Sequence, residues 1–209
     1  MSTDDELLAA WGLGDGAAGE ALTRRYYANV LRFFDIRATA QAEDLAQKTF
    51  LTCLEKRHNV RTLGSFRSFL FGIARNHLLH HIRAAARRHE SSEFDDFADE
   101  QPSPSRIVAM YDEQRLLLRA FQTISVDAQQ ALQLFYWEQL QTSEIASALG
   151  VPVSTVTTRI SRARKSLLAA IEKLSAVDNQ RKSLLGDFER WLASFSGLYV
   201  SGTSASGRE

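Results

Sequence analysis

Residues 142–168 read TSEIASALGVPVSTVTTRISRARKSLL. Thr142 carries a hydroxyl suited to cap a helix start, because it can accept from an otherwise orphaned backbone N–H. Ile145, Ala146 and Leu149 then recur at helical spacing and form one apolar face. Gly150 is placed to stop that helix, since glycine enters the left-handed region without a β-carbon penalty. Pro152 suits the first turn of a second helix, where a missing N–H costs nothing. In that second helix Val156, Ile160, Ala163 and Leu167 point one way, and Thr155, Thr157, Thr158, Ser161, Arg162 and Lys165 the other. Two short helices joined by a tight turn, the second with a polar, hydrogen-bonding outer face, have the layout of a helix-turn-helix that enters a DNA major groove. A plain helical hairpin shares the apolar spacing. It does not require the small residue, the glycine, the inward Val/Ile and the outward Thr/Ser/Arg at these offsets together.

Composition sets the limits around this motif. The chain has 209 residues, 24% of them charged, enough for one or two domains. No apolar run is long enough to span a bilayer, which predicts no membrane insertion. The start, MSTDDELLAA, is acidic and lacks the basic region of a signal peptide. The single cysteine, Cys53, excludes an internal disulfide framework and fits a reducing cytoplasm. With three prolines and no recurrent strand pattern, the expected fold is all-α. Net charge is zero, but it is unevenly spread: residues 1–89 carry 13 Lys/Arg against 9 Asp/Glu, residues 90–113 carry 1 against 8, and residues 114–174 carry 7 against 4. Two basic modules thus flank an acidic segment.

Taken in order, Thr3 to Glu6 reads as a capping box that starts a short helix through Trp11. Glycines 12, 14 and 16 end it. A longer helix over about 17–34 has Leu22, Tyr26, Val30 and Phe33 or Phe34 facing inward. Thr39 is placed to cap the next, AQAEDLAQKTFLTCLEKR, whose inner face is Ala42, Leu45, Ala46, Thr49 and Cys53 and whose outer face includes Glu43, Asp44, Gln47 and Lys48. After the loop HNVRTLG comes SFRSFLFGIARNHLLHHIRAAARR, with Phe66, Phe69 or Leu70, Ile73, His77 and Leu78 on one side. Residues 90–106, ESSEFDDFADEQPSPSR, are too acidic and too rich in serine and proline for a packed helix. Helices resume with Leu116, Leu117, Ala120, Phe121 and Ile124 inward, then with Ala128, Ala131, Leu132 and Phe135 inward over Asp127 to Trp137. Beyond Leu174, Leu184, Leu185, Phe188, Trp191, Leu192 and Phe195 trace an amphipathic helix.

The AEDLAQKTF helix, followed by SFRSFLFGIARN and a basic helix end, resembles the second conserved region of the sigma-70 family, most closely its extracytoplasmic-function (ECF) group. GVPVSTVTTRISRARKSL resembles that group's fourth region. The resemblance implies a sigma factor with bacterial core RNA polymerase and promoter DNA as partners, room for an anti-sigma factor, no cofactor, and no enzymatic activity of its own. The implied core-docking residues are Glu43, Asp44, Leu45, Gln47 and Lys48, where Lys48 departs from the family's usual acid. The implied −10 contacts are Asn59, Val60, Arg61, Arg75, Asn76, His80 and Arg83. In this region His80 stands where Asp or Asn is usual and Phe69 where tryptophan is common, while in the fourth region Gln139 stands where glycine is frequent. The implied −35 contacts are Ser154, Thr155, Thr157, Thr158, Arg159, Ser161, Arg162, Arg164 and Lys165.

The expected organisation is a region 2-like domain over 1–89, a flexible acidic linker over 90–111, a region 4-like helix-turn-helix domain over 112–174, and an extension over 175–209 with one amphipathic helix and a disordered end. The rival reading from the residues alone is a stand-alone helix-turn-helix regulator with an N-terminal sensing or dimerising module. An enzyme controlled by a DNA-binding tail is weaker, as no nucleophile–base pair or phosphate-cradling loop is evident. His77 and His81 share a helix face at i, i+4 and could bind zinc, but no third ligand is evident nearby.

Overall fold

The computed structural model describes residues 2–57, 65–90 and 112–174. Among these there are eight α-helices and no strand, as the all-α expectation requires. The chain separates into two compact units, the first containing α1 to α4 and the second built mainly from α5 to α8. The helices are α1 (Asp4–Gly12), α2 (Gly16–Asp35), α3 (Ala42–Glu55), α4 (Phe66–Glu90), α5 (Asp112–Thr123), α6 (Val126–Leu132), α7 (Thr142–Leu149) and α8 (Val153–Leu174).

In the first unit the capping box forms as read. Thr3 Oγ1 accepts from the Glu6 N–H at 3.3 Å, and Glu6 Oε2 accepts from the Thr3 N–H at 2.9 Å. Asp15 begins α2 by accepting from the backbone of Ala17 and Ala18. Asp4 then fastens α1 to α2 by taking hydrogen bonds from Tyr26 Oη and the Arg25 guanidinium. α2 packs on α1 and α3, and α3 packs on α4. Leu22, Val30, Phe33, Phe34, Leu70 and Leu78 form the centre of this core. Both members of each either/or pair are buried: Phe33 with Phe34, and Phe69 with Leu70. The first half of α4 is apolar around most of its circumference, which marks a helix enclosed on several sides.

Thr39 does not cap α3. It lies in a 3₁₀ turn, Thr39–Gln41, and its hydroxyl donates back to the Asp35 carbonyl, closing α2 instead. The start of α3 at Ala42 has no side-chain cap.

In the second unit α5 and α6 pack on α8. Leu116, Leu117, Ala120, Phe121 and Ile124 are all buried, as their spacing predicts. Ser125 caps α6 by accepting from the Ala128 N–H at 3.3 Å. The expected single helix to Trp137 is not uniform, because α6 passes into a π turn, Gln133–Trp137. The wider winding shifts the register by one residue. Leu134 and Trp137 therefore enter the core while Phe135 is half-buried, and Trp137 stacks on Phe121 with ring centroids 5.2 Å apart.

α7 begins at Thr142, and the Glu144 carboxylate in its first turn accepts from the Gln141 N–H at 2.9 Å. Gly150 adopts φ +64°, and the Val151 N–H closes on the Ala146 carbonyl at 3.1 Å. This is the left-handed glycine stop read from the sequence. Pro152 sits one residue before α8, its carbonyl accepting from the Val156 N–H. Val156, Ile160, Ala163 and Leu167, followed by Ile171, are buried along α8. Of the expected linker only Glu90 is described, as the last residue of α4, and the expected extension over 175–209 lies outside the described residues.

Candidate nucleic-acid and polymerase interfaces

α8 holds all nine expected −35 residues. Ser154, Thr155, Thr157, Thr158, Ser161, Arg162 and Lys165 are exposed. The apolar stripe beneath them fixes their direction, since it faces α5 and α6. Arg159 and Arg164 are only half-exposed. The Arg159 guanidinium turns to Asp127 on α6, with Nη2 at 3.3 Å from Oδ2, and its side chain keeps 21% of its surface. The Thr157 hydroxyl donates to the Val153 carbonyl at 3.2 Å, and the Thr158 hydroxyl to the Ser154 carbonyl at 2.9 Å. Ser125, Asp127, Ser154, Thr158, Arg159 and Arg162 line an open trough of about 580 Å³ beside this face. Val153, 46% exposed at the head of α8, is an apolar member of the surface that the polar pattern did not reveal.

On α3, Glu43, Asp44, Gln47 and Lys48 are exposed. Leu45 differs in burial from the rest of the expected docking set. It is only 5% exposed, because it shares the inward stripe with Ala42, Ala46, Thr49 and Cys53. Lys48 bonds Asp44 one turn before it, so the unusual base offsets a neighbouring acid on the same face. The outer stripe also continues further than expected. Leu51 and Leu54 are 60% and 45% exposed, at i+4 and i+7 from Gln47. With Trp11, Tyr27 and Phe50 they border an apolar groove of about 470 Å³. The same heptad spacing in the sequence, continued past Lys48, would have found them.

On α4, Asn76, His80 and Arg83 lie on one exposed stripe at i, i+4 and i+7. Arg75 is half-buried, and its Nε has no hydrogen-bond partner. Asn59, Val60 and Arg61 lie outside the described residues. His77 turns inward, where its Nε2 lies 3.0 Å from Thr52 Oγ1. Burial lowers its pKa from 6.5, and the positive charges of His80, Lys48 and Lys56 lower it further. Cys53 is fully enclosed, and burial pushes its thiol up to about 12. Among the described residues no three His, Cys, Asp or Glu side chains are grouped to hold a metal, and no helix is long and apolar enough to cross a membrane.

The profile for Sigma-70 region 2 matches residues 20–88, and that for Sigma-70, region 4 matches residues 114–167. The chain is 32% identical over 170 residues to the ECF RNA polymerase sigma factor SigL of Mycobacterium tuberculosis, covering 77% of this chain and 95% of that one. It is 29% identical over 185 residues to the RNA polymerase sigma-H factor of Pseudomonas aeruginosa, covering 82% of this chain and 95% of that one. Its fold is similar to that of the sigma factor RpoE from Bartonella quintana, solved in complex with the anti-sigma factor NepR, with a TM-score of 0.61, 21% identity and coverage of 73% and 96%. A stand-alone regulator with a sensing module would not account for the region 2 match. The chain therefore belongs to the ECF group of the sigma-70 family and is a sigma factor that directs promoter-specific transcription initiation.

Proposed function

We propose that the two units divide promoter engagement between them. The unit over 1–89 docks on core RNA polymerase through Glu43, Asp44, Gln47 and Lys48, with Leu51 and Leu54 as apolar anchors beside the charged end. The same unit takes the unpaired −10 strand through Asn76, His80 and Arg83, together with Arg75 and the loop residues Asn59, Val60 and Arg61. The unit over 112–174 reads the −35 element with Ser154, Thr155, Thr157, Thr158, Ser161, Arg162 and Lys165, while Arg159 and Arg164 support the face from its edge. The acidic segment 90–111 joins the two, and residues 175–209 form an extension. The polymerase carries out the chemistry, so the chain is not itself an enzyme, and it acts in the cytoplasm. An anti-sigma factor is a fitting further partner, since a protein of similar fold binds one.

The observation that carries this reading is the outer face of α8. Every exposed side chain from Ser154 to Arg162 bears a hydrogen-bonding group, above an unbroken buried stripe of Val156, Ile160 and Ala163. An ordinary structural helix has no need of that uniformity, whereas base edges and phosphates do.

The test is co-migration of the purified chain with core polymerase, followed by run-off transcription. Reversing Glu43 and Asp44 to lysine together weakens core association while leaving the unit folded, because exposed substitutions cost little stability. Leu51→Asp acts the same way through the apolar end of the stripe. Undiminished co-migration of both variants would refute this docking face.

A further inference from the structure

The −35 face assigned above contains an asymmetry in its hydrogen-bonding capacity. A threonine hydroxyl has one proton and two lone pairs. Thr157 and Thr158 both commit that proton to their own helix, to the carbonyls of Val153 and Ser154. Such bonds to the i−4 carbonyl are a common local alternative for threonine in a helix. What the two exposed residues then offer outward is lone pairs and γ-methyl groups. The donors of this face lie elsewhere, on Arg162, Lys165 and the hydroxyls of Ser154, Thr155 and Ser161, and Arg159 is drawn aside by Asp127.

The major-groove edges of the bases differ in the complementary sense. Adenine offers its N6 amine as a donor, thymine offers a C5 methyl, guanine offers two acceptors, N7 and O6, and cytosine offers an N4 amine donor with no methyl beside it. An acceptor-plus-methyl surface therefore fits an A·T pair at both of its bases, whereas a G·C pair offers it a donor at cytosine alone and no methyl. It opposes acceptor to acceptor at guanine. It also bonds poorly to phosphate oxygens, which are acceptors too. Resting on the assignment of α8 as the −35 reader, we propose that Thr157 and Thr158 are specificity-determining residues that select A·T pairs at the base steps they face and reject guanine there.

The experiment is run-off transcription by core polymerase with the full chain, from a template library randomised through the −35 element, with the transcribed templates sequenced. The position facing each threonine is the one whose base preference moves when that threonine becomes arginine. Thr157→Arg or Thr158→Arg should turn that position toward guanine, by on the order of tenfold, the discrimination one bidentate base contact supplies. In the wild type the same position should be A·T, with guanine depleted. Thr→Val at either site keeps the branched apolar shape and removes the oxygen, so adenine preference should fall while thymine preference persists. Thr→Ser should do the reverse. Guanine enriched opposite either threonine in the wild type would overturn the proposal. So would a base pattern that no substitution shifts, or a uniform loss across all sequences in Thr→Val, which would mark phosphate contacts. Failure to transcribe any template in the library would instead remove the sigma reading on which the proposal rests.

Discussion

Gly19 of α2 lies flat against the indole of Trp11 on α1: a β-carbon at position 19 would stand 2.6 Å from Cδ1 and 2.8 Å from Cε2. Trp11 is 6% exposed and meets Phe66 edge-on, with centroids 6.3 Å apart, so it has little space into which to retreat. Gly19→Ala gains helix propensity, but the clash outweighs it, since overpacking a filled core costs about 1–3 kcal/mol. Thermal unfolding of the first unit should begin several degrees lower in Gly19→Ala. An unchanged transition would show that α1 yields freely.

The Thr52–His77 pair makes the first unit sensitive to acid. In the fold His77 is held neutral by burial first, and then by His80, Lys48 and Lys56, whereas in the unfolded chain it titrates near 6.5. The unfolded state therefore binds the proton more readily. Stability is full above that pH and declines as pH falls through 6.5 toward the lower folded value. His77→Gln should flatten this part of the acid limb in a series of melts at different pH. A limb as steep as that of the wild type would assign the loss to other groups.

Gln139 has φ +51°, in the left-handed region where a side chain is strained. It joins the π turn to α7 and is exposed, so its side chain adds little to the core. Gln139→Gly should raise the stability of the second unit by up to about 1 kcal/mol, the strain released less the entropy that glycine adds to the unfolded chain. Chemical denaturation would measure it, and a lower midpoint would show that Gln139 makes a favourable contact that compensates.

Arg162 is exposed on the turn of α8 that follows Thr158. If it reads a guanine, Arg162→Ala should cost about 1–3 kcal/mol of promoter affinity, concentrated at one base position. If it meets a phosphate, the loss should be the same on every sequence and the salt dependence should weaken. Filter binding at three salt concentrations separates the two, and full affinity in Arg162→Ala would remove it from the interface.

These outcomes also mark how far the sequence could be read. The capping box at Thr3, the stop at Gly150 and the buried stripe of α8 were legible because each depends on a few neighbouring residues. Thr39 does not cap α3 because its hydroxyl also reaches the Asp35 carbonyl one turn back, and that local bond closes α2. Phe135 was assigned inward by counting at the α period, and the period changes at Gln133. Leu45 belongs both to the inward stripe and to the expected docking set, and its burial shows the first of these places directly. The use of the Thr157 and Thr158 protons was beyond any spacing argument, since it depends on a side-chain rotation.

Cys53 is the chain's single thiol, and α3 holds it at 0% exposure with its ionisation pushed up to about 12. A thiol must ionise and be reached before it reacts with a disulfide reagent. The native N-terminal unit should therefore be silent to such a reagent, and each modified molecule should record one opening of that unit. Because the second unit contributes no thiol among the described residues, the labelling rate is a clock for the first unit alone, built in without any engineered probe. Run in the presence of core polymerase, the same clock would slow in proportion to how firmly docking clamps the unit shut.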